Sequence, residues 1–233
     1  MKCLPFLLFS LLLMTGMGVP FLGAQNSFYL KPSLTFGDEQ LHIQDDVYNI
    51  PGTSLKIEVL KFYIAHVKVS GDCDAPSFIL DDYTLLDFFE DTAHIKIHNP
   101  CHISPATNLS FQLGVDSAIQ ESGVQSGDLD PMRGMYWTWN SGYIHFKLEL
   151  KDSTSSGPDG QTILHIGGYQ ADQSTIQRVQ CKNFSTDNNR LCFDIKPLLD
   201  YCQSHGIHKV MSPGQEAVQL SEIIAHSFFL RQQ

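Results

Sequence analysis

The sequence predicts an all-β protein: one β-sandwich, immunoglobulin-like or related, with one or two short helices. Three observations predict it. Runs rich in β-branched and aromatic residues recur along the chain, and Gly, Pro, Asp and Asn interrupt them. Within RLCFDI, Leu191, Phe193 and Ile195 alternate with polar or small residues, as in a half-buried strand. No stretch has the composition of an interdomain linker and no internal repeat occurs, so a single sandwich is expected over residues 25–233.

The N-terminus carries a different signal. Lys2, the apolar run LPFLLFSLLLM and the small residues before Gln25 form a secretory signal peptide, residues 1–24, cut after Ala24. A periplasmic or extracellular protein is therefore expected. The first strand-like run after it is SLTF. The long run LKIEVLKFYIAHVKV changes phase between Val59 and Leu60, so a bulge is expected there to keep both apolar sets inside. SFILDDYTLLDF, HIKI, LSFQLGV, MYWTWNSGYIHFKLEL, TILHIGG and IQRVQC continue the series, and KDSTSSGPDGQ reads as a loop joining two adjacent strands. Pro197 suits the first turn of a short helix running to Ser204. A second helix is expected over 214–226, with Val218, Ile223 and Ile224 as packing positions.

Charge excludes some functions. The formal net charge is −10, which argues against nucleic acid and anionic membrane surfaces and admits cationic partners. Five cysteines follow the signal peptide: Cys73, Cys101, Cys181, Cys192 and Cys202. Export favours disulfides; the expected pairs are Cys73 with Cys101 and two of Cys181, Cys192 and Cys202, leaving one thiol. Nucleophile elbow, HExxH, P-loop, dinucleotide and CxxCH motifs are all missing, so nothing in the motifs indicates an enzyme. Asn108 and Asn183 open glycosylation sequons.

The chemistry-bearing residues are imidazoles, indoles and carboxylates. Both tryptophans, Trp137 and Trp139, lie two residues apart in GMYWTWNSGYIHFKLEL. On a continuous strand they share a face with Met135 and Ser141; an aromatic core layer is the ordinary explanation and a binding floor the functional one. His165 in LHIGG faces away from Leu164 and Ile166. His94, His98 and His102 in HIKIHNPCH have metal-clip spacing, although a polar edge and turn is the ordinary explanation for them. Asp116, Asp128 and Asp130 lie in a turn-rich segment where carboxylates suit a structural cation such as calcium.

GDLDPMRGMYWTWNSGYIHFKLEL followed by ILHIGG goes beyond composition. With LKFYIAHVKV, YTLLDF and LSFQLGVD before it, the order of segments resembles the MbnP family of periplasmic copper-binding proteins associated with methanobactin systems. The resemblance spans residues 55–168. It implies a β-sandwich, export, and copper bound through imidazoles. It further implies that Trp137 or Trp139 is oxidised to kynurenine by a partner diheme enzyme of the MauG-like type. Trp137, Trp139 and His165 stand on matching motif positions, and His145 and His66 are the expected further ligands. Exported imidazole sites suit copper better than magnesium or calcium. Two rival readings remain: a non-metal adhesion module that uses the Trp pair as a ligand platform, and a calcium-stabilised structural domain.

Overall fold

The computed structural model describes residues 26–30, 32–42, 47–50, 52–70, 79–80, 83–90, 95–99, 107–140, 142–184 and 189–232. The strands run β1 (Asn26–Leu30), β2 (Ser33–Phe36), β3 (Glu39–Leu41), β4 (Tyr48–Ile50), β5 (Thr53–Ser70), β6 (Ile79–Leu80), β7 (Thr84–Asp87), β8 (Ile95–Asn99) and β9 (Thr107–Leu113). After helix α1 (Ser117–Glu121) come β10 (Tyr136–Trp137), β11 (Gly142–Tyr143), β12 (Phe146–Asp152), β13 (Gln161–Ile166), β14 (Gln177–Phe184) and β15 (Asn189–Asp194). Helix α2 (Lys196–His205), β16 (Lys209–Val210), α3 (Gln215–His226) and β17 (Phe228–Gln232) complete the order.

The larger sheet has the path β14-β9-β5-β12-β13-β16, and β4, β6 and β7 also pair with β5. The second sheet has the order β17-β15-β2-β3. The two pack face to face as the sandwich the sequence predicts. Their shared core is lined with phenylalanine: Phe62, Phe111 and Phe146 from the large sheet meet Phe193 and Phe228 from the small one. Leu191, Phe193 and Ile195 are buried as the alternation requires, and Cys192, on the opposite face of β15, is buried too.

β5 explains the phase change in its sequence. Val59 pairs with Glu149 but Ile57 pairs with Leu150, so Glu58 is the extra residue of a bulge, next to the expected position. Leu55 and Ile57 before it, and Leu60 and Phe62 after it, all reach the core. α2 and α3 match the two helices expected. Of the three packing positions read for α3, only Ile224 is fully buried, with Ala217, Leu220, Ser221 and Ala225 completing the inner face. α1 is a third helix, too short to carry a period. The loop 151–161 joins β12 to β13 as an antiparallel pair.

Two readings need correction. Trp137 and Trp139 do not share a strand face: β10 ends at Trp137, and Thr138–Asn140 form a turn. Trp137 is buried, whereas Trp139 is 64% exposed. No disulfide joins any of Cys181, Cys192 and Cys202, which are free and buried in β14, β15 and α2 respectively. Burial pushes their thiols up, to about 11 for Cys181 and about 12 for Cys202, so they stay protonated and inert. Cys73, Cys101, His94, His102, Ser141 and the signal peptide lie outside the described residues. Among the described residues no helix is long and apolar enough to cross a membrane.

Candidate functional site

On the far side of the large sheet lies a second, smaller core of different composition. Tyr63, Leu85, Val115, Leu129, Met135, Trp137, Tyr143 and Ile144 form it, with Tyr83, Ile119 and Tyr136 packed against it. Phenylalanine is missing from this set. Tyrosine and tryptophan tolerate a wet end, which suits a shallow core under loops. Tyr63 donates to the Asp128 carbonyl and Tyr143 to the Leu129 carbonyl, at 2.9 and 3.0 Å. Three histidines of the sequence reading border this region.

His66 is placed by a second bulge in β5. Phe62 and Ile64 point into the main core, and so do Val67 and Val69. That change of phase needs an extra residue, and the register with β9 shifts between Ala65 and Lys68. His66 absorbs it at φ +50°, a conformation uncommon outside glycine. Its Nε2 lies 2.7 Å from Asp116 Oδ2, to which Tyr83 also donates its hydroxyl. Gln112 Nε2 donates to the other oxygen at 2.9 Å. Burial pushes the Asp116 carboxyl up, but the hydrogen bonds from Tyr83, His66 and Gln112 outweigh it and hold the group below its usual value. The same bond and burial push the Tyr83 phenol up.

His145 is sealed inside the wall. Gln120 Nε2 donates to His145 Nε2 at 2.7 Å, and His145 Nδ1 donates to Thr175 Oγ1 at 2.8 Å, which in turn reaches the Gly168 carbonyl. Gln120 Oε1 accepts from the Tyr143 amide. Desolvation pulls the imidazole down to about 4, so it is neutral at physiological pH. The ring lies against Gly114, where a Cβ would meet Nδ1 at 2.7 Å.

His165 lies across the ladder from Lys147 and donates Nε2–H to Glu149 Oε1 at 2.8 Å. Lys147 Nζ stands 3.3 Å from the same oxygen. Burial lowers the imidazole; Glu149 opposes this, and Lys147 and Lys209 reinforce it. A cation here meets two lysines. Asp128 and Asp130 have structural duties: Asp128 Oδ2 accepts from the Leu85 amide and Asp130 Oδ1 from the Met132 amide, at 2.9 and 2.8 Å. The structure thus joins His66 to Asp116, leaves His145 and His165 with other partners, and brings no three His, Cys, Asp or Glu side chains together among the described residues. A three-ligand cage for copper does not fit these residues as placed. Two imidazole–carboxylate pairs, each an N/O donor set, do occur.

The indoles border a cleft of about 270 Å³ between the β10–β11 turn, the 168–173 loop and Ser212–Pro213. The ring centroids of Trp137 and Trp139 are 5.7 Å apart. The Trp137 indole N–H is buried with no acceptor among the described residues. The double glycine of LHIGG builds this wall. A Cβ on Gly167 would stand 2.6 Å from the Tyr143 carbonyl oxygen and 2.9 Å from Trp137 Cζ3, and Gly168 adopts φ +141°. Gly167→Ala is therefore expected to displace the indole and cost about 1–3 kcal/mol, as overpacking does, read as a lower urea midpoint with altered tryptophan emission. An unchanged midpoint would contradict the contact.

Gln120, Thr175 and Glu149 carry no motif in the sequence. Gly114 and Gly167 lie in the LGVD and HIGG segments, but their close approaches to His145 and Trp137 are set by the tertiary structure.

The family model MbnP matches residues 25–213. A solved structure, MbnP from Methylosinus trichosporium, superposes with a TM-score of 0.51 at 15% identity, covering 76% of this chain and 78% of that one. At that identity the likeness extends to the fold. No curated protein matches the chain.

Proposed function

This chain belongs to the MbnP family, and from that membership we propose that it is an exported copper-handling protein, periplasmic or extracellular, that binds rather than catalyses. The observation carrying the metal reading is the His66–Asp116 pair. It combines an imidazole with an ionised carboxylate on a strained bulge, the kind of position that re-aims side chains at functional sites. His165–Glu149 is the second donor pair, disfavoured by Lys147 beside it. His145 serves from behind, as a neutral imidazole that holds Gln120 and Thr175. A structural calcium at Asp116, Asp128 and Asp130 ranks below copper, because Asp128 and Asp130 already accept from backbone amides and the three carboxylates do not come together among the described residues.

Titration of the protein with Cu(II), followed by nitrogen hyperfine structure in its electron paramagnetic resonance spectrum, tests this. Loss of His66, as a ligand, is expected to weaken copper by at least the roughly 10–100-fold seen when a metal site loses a group that merely supports a ligand. Equal affinity in His66→Ala with loss in His165→Ala would move the site to Glu149. Retention in neither wild type nor variant would end the copper reading.

The tryptophan pair supports a second part of the proposal. Trp139 is the indole presented to solvent, and Trp137 packs behind it. Trp139 is then the residue offered to a diheme MauG-like enzyme for conversion to kynurenine. Peptide mass mapping over residues 134–150, on protein from its native source, is expected to place the modification on Trp139. Two intact tryptophans would remove this part alone.

A further inference from the structure

We propose that the outward face of β5, β9 and β14 holds a binding site for a small organic dianion of the dicarboxylate class, independent of whether the imidazoles take copper. Charge is spread unevenly over this chain. It has 25 Asp and Glu against 15 Lys and Arg, yet β9 and β14 contain no acid and β5 contains none after Glu58. The inward positions Val67, Val69, Leu109, Phe111 and Val179 belong to the main core. The outward positions carry Lys68, Arg178 and Lys182, with Ser110, Gln112 and Gln180 between them. The ladders set Lys68 opposite Ser110, and Gln112 opposite Arg178. Lys61, Arg133, Lys147 and Lys196 each meet a carboxylate elsewhere in the fold. Lys68 and Arg178 make no ion pair among the described residues. A face of one sign, in a chain of the other, concentrates counter-ions at its concave point.

That point is a cleft of about 330 Å³, where the second bulge in β5 interrupts its ladder with β9. Its lining includes His66, Lys68, Gln112, Ile176 and Arg178, and no carboxylate. The volume falls within the roughly 300–1,000 Å³ of small-molecule sites, more than a simple inorganic ion fills. Lys68 and Arg178 lie two strands apart and two residues out of step, which sets their Cα atoms about 12 Å apart at ordinary sheet spacings. The planar fork of Arg178 suits a carboxylate held by two parallel N–H bonds, and Lys68 adds a compact charge. Two such cations match two acid groups joined by a short carbon chain, and Ile176 gives that chain an apolar wall. Asp116 borders this face, but Tyr83, His66 and Gln112 already occupy its oxygens. A bound dianion would also offset the repulsion of Lys68 and Arg178 toward a metal at His66, although the site does not require that metal.

The test uses the mature protein, freed of metal on a chelating resin and held at low salt. It is titrated calorimetrically with succinate, glutarate and citrate, and with sulfate and neutral succinamide as controls. Saturable binding of at least one carboxylate is expected, with none of succinamide. Arg178→Gln and Lys68→Gln should each weaken it about ten-fold or more with an unchanged melting temperature, since both side chains are exposed. Lys182→Gln, on the same face but outside the cleft, should change it less than two-fold. No saturable binding of any of the three carboxylates overturns the proposal. So does an equal response to sulfate or succinamide, or an equal loss in Lys182→Gln and Arg178→Gln, which would mean a diffuse field without a site. Because copper is absent throughout, none of these outcomes bears on the metal reading.

Discussion

Phe62→Ala is expected to lower the unfolding free energy by about 3–5 kcal/mol, the cost of emptying a buried phenylalanine site. Phe62 has no exposed surface and stands where the two sheets meet. Its ring lies 5.9 Å from Phe146 on the neighbouring strand and 6.0 and 5.6 Å from Phe193 and Phe228 on the opposite sheet. Phe88 closes a fourth side at 5.6 Å. Neighbours held by two hydrogen-bonded sheets cannot collapse far into the gap, so the cavity term stays. Natural domains hold only about 5–15 kcal/mol, so this one change removes much of the margin. Urea denaturation measures it; a loss below about 1 kcal/mol would mean that the sheets close over the site.

Acidification is expected to destabilise the fold through His145. Its imidazole is held near pKa 4 in the folded protein by desolvation, against 6.5 unperturbed. Above the unfolded value the ring is neutral in both states, and the stability is fully present. Between 6.5 and 4 the unfolded chain takes a proton that the folded one refuses, so stability falls as pH falls. By pH 4 the loss from this residue reaches about 3 kcal/mol. His165, also lowered by burial, adds in the same direction. Asp116 and Glu149, whose carboxyls are held low, add their loss at more acidic pH. The discriminating measurement is the slope of the urea midpoint between pH 7 and 4 in wild type and His145→Gln. The variant is expected to be flatter, and parallel slopes would refute the assignment.

Much of the sandwich was legible. Period-two alternation marked β15, Pro197 marked α2, and the phase change in β5 between Val59 and Leu60 pointed to a bulge that the structure places beside it, at Glu58. These signals are local: each depends on residues a few positions apart. The tryptophan pair misled because alternation assumes a continuous strand, while β10 stops at Trp137 and a turn lifts Trp139 into solvent. The second bulge in β5 was missed because His66 carries no glycine-like signature for its left-handed backbone. Cysteine counting misled because two of three thiols were expected to cross-link when burial had made all three core residues.

The sequence by itself determined which segments extend, which coil, which faces are apolar and which family the order of motifs resembles. Tertiary structure alone decided the partners. His66 meets Asp116 50 positions away, His145 meets Thr175 30 positions away, and His165 meets Glu149 across a hairpin. The physical reason is register. In a sheet the side-chain period is two, so one extra residue in β5 turns every later side chain to the other face. Which imidazole meets which carboxylate therefore depends on where the bulges settle in the assembled sheets, and no short stretch of chain contains that information.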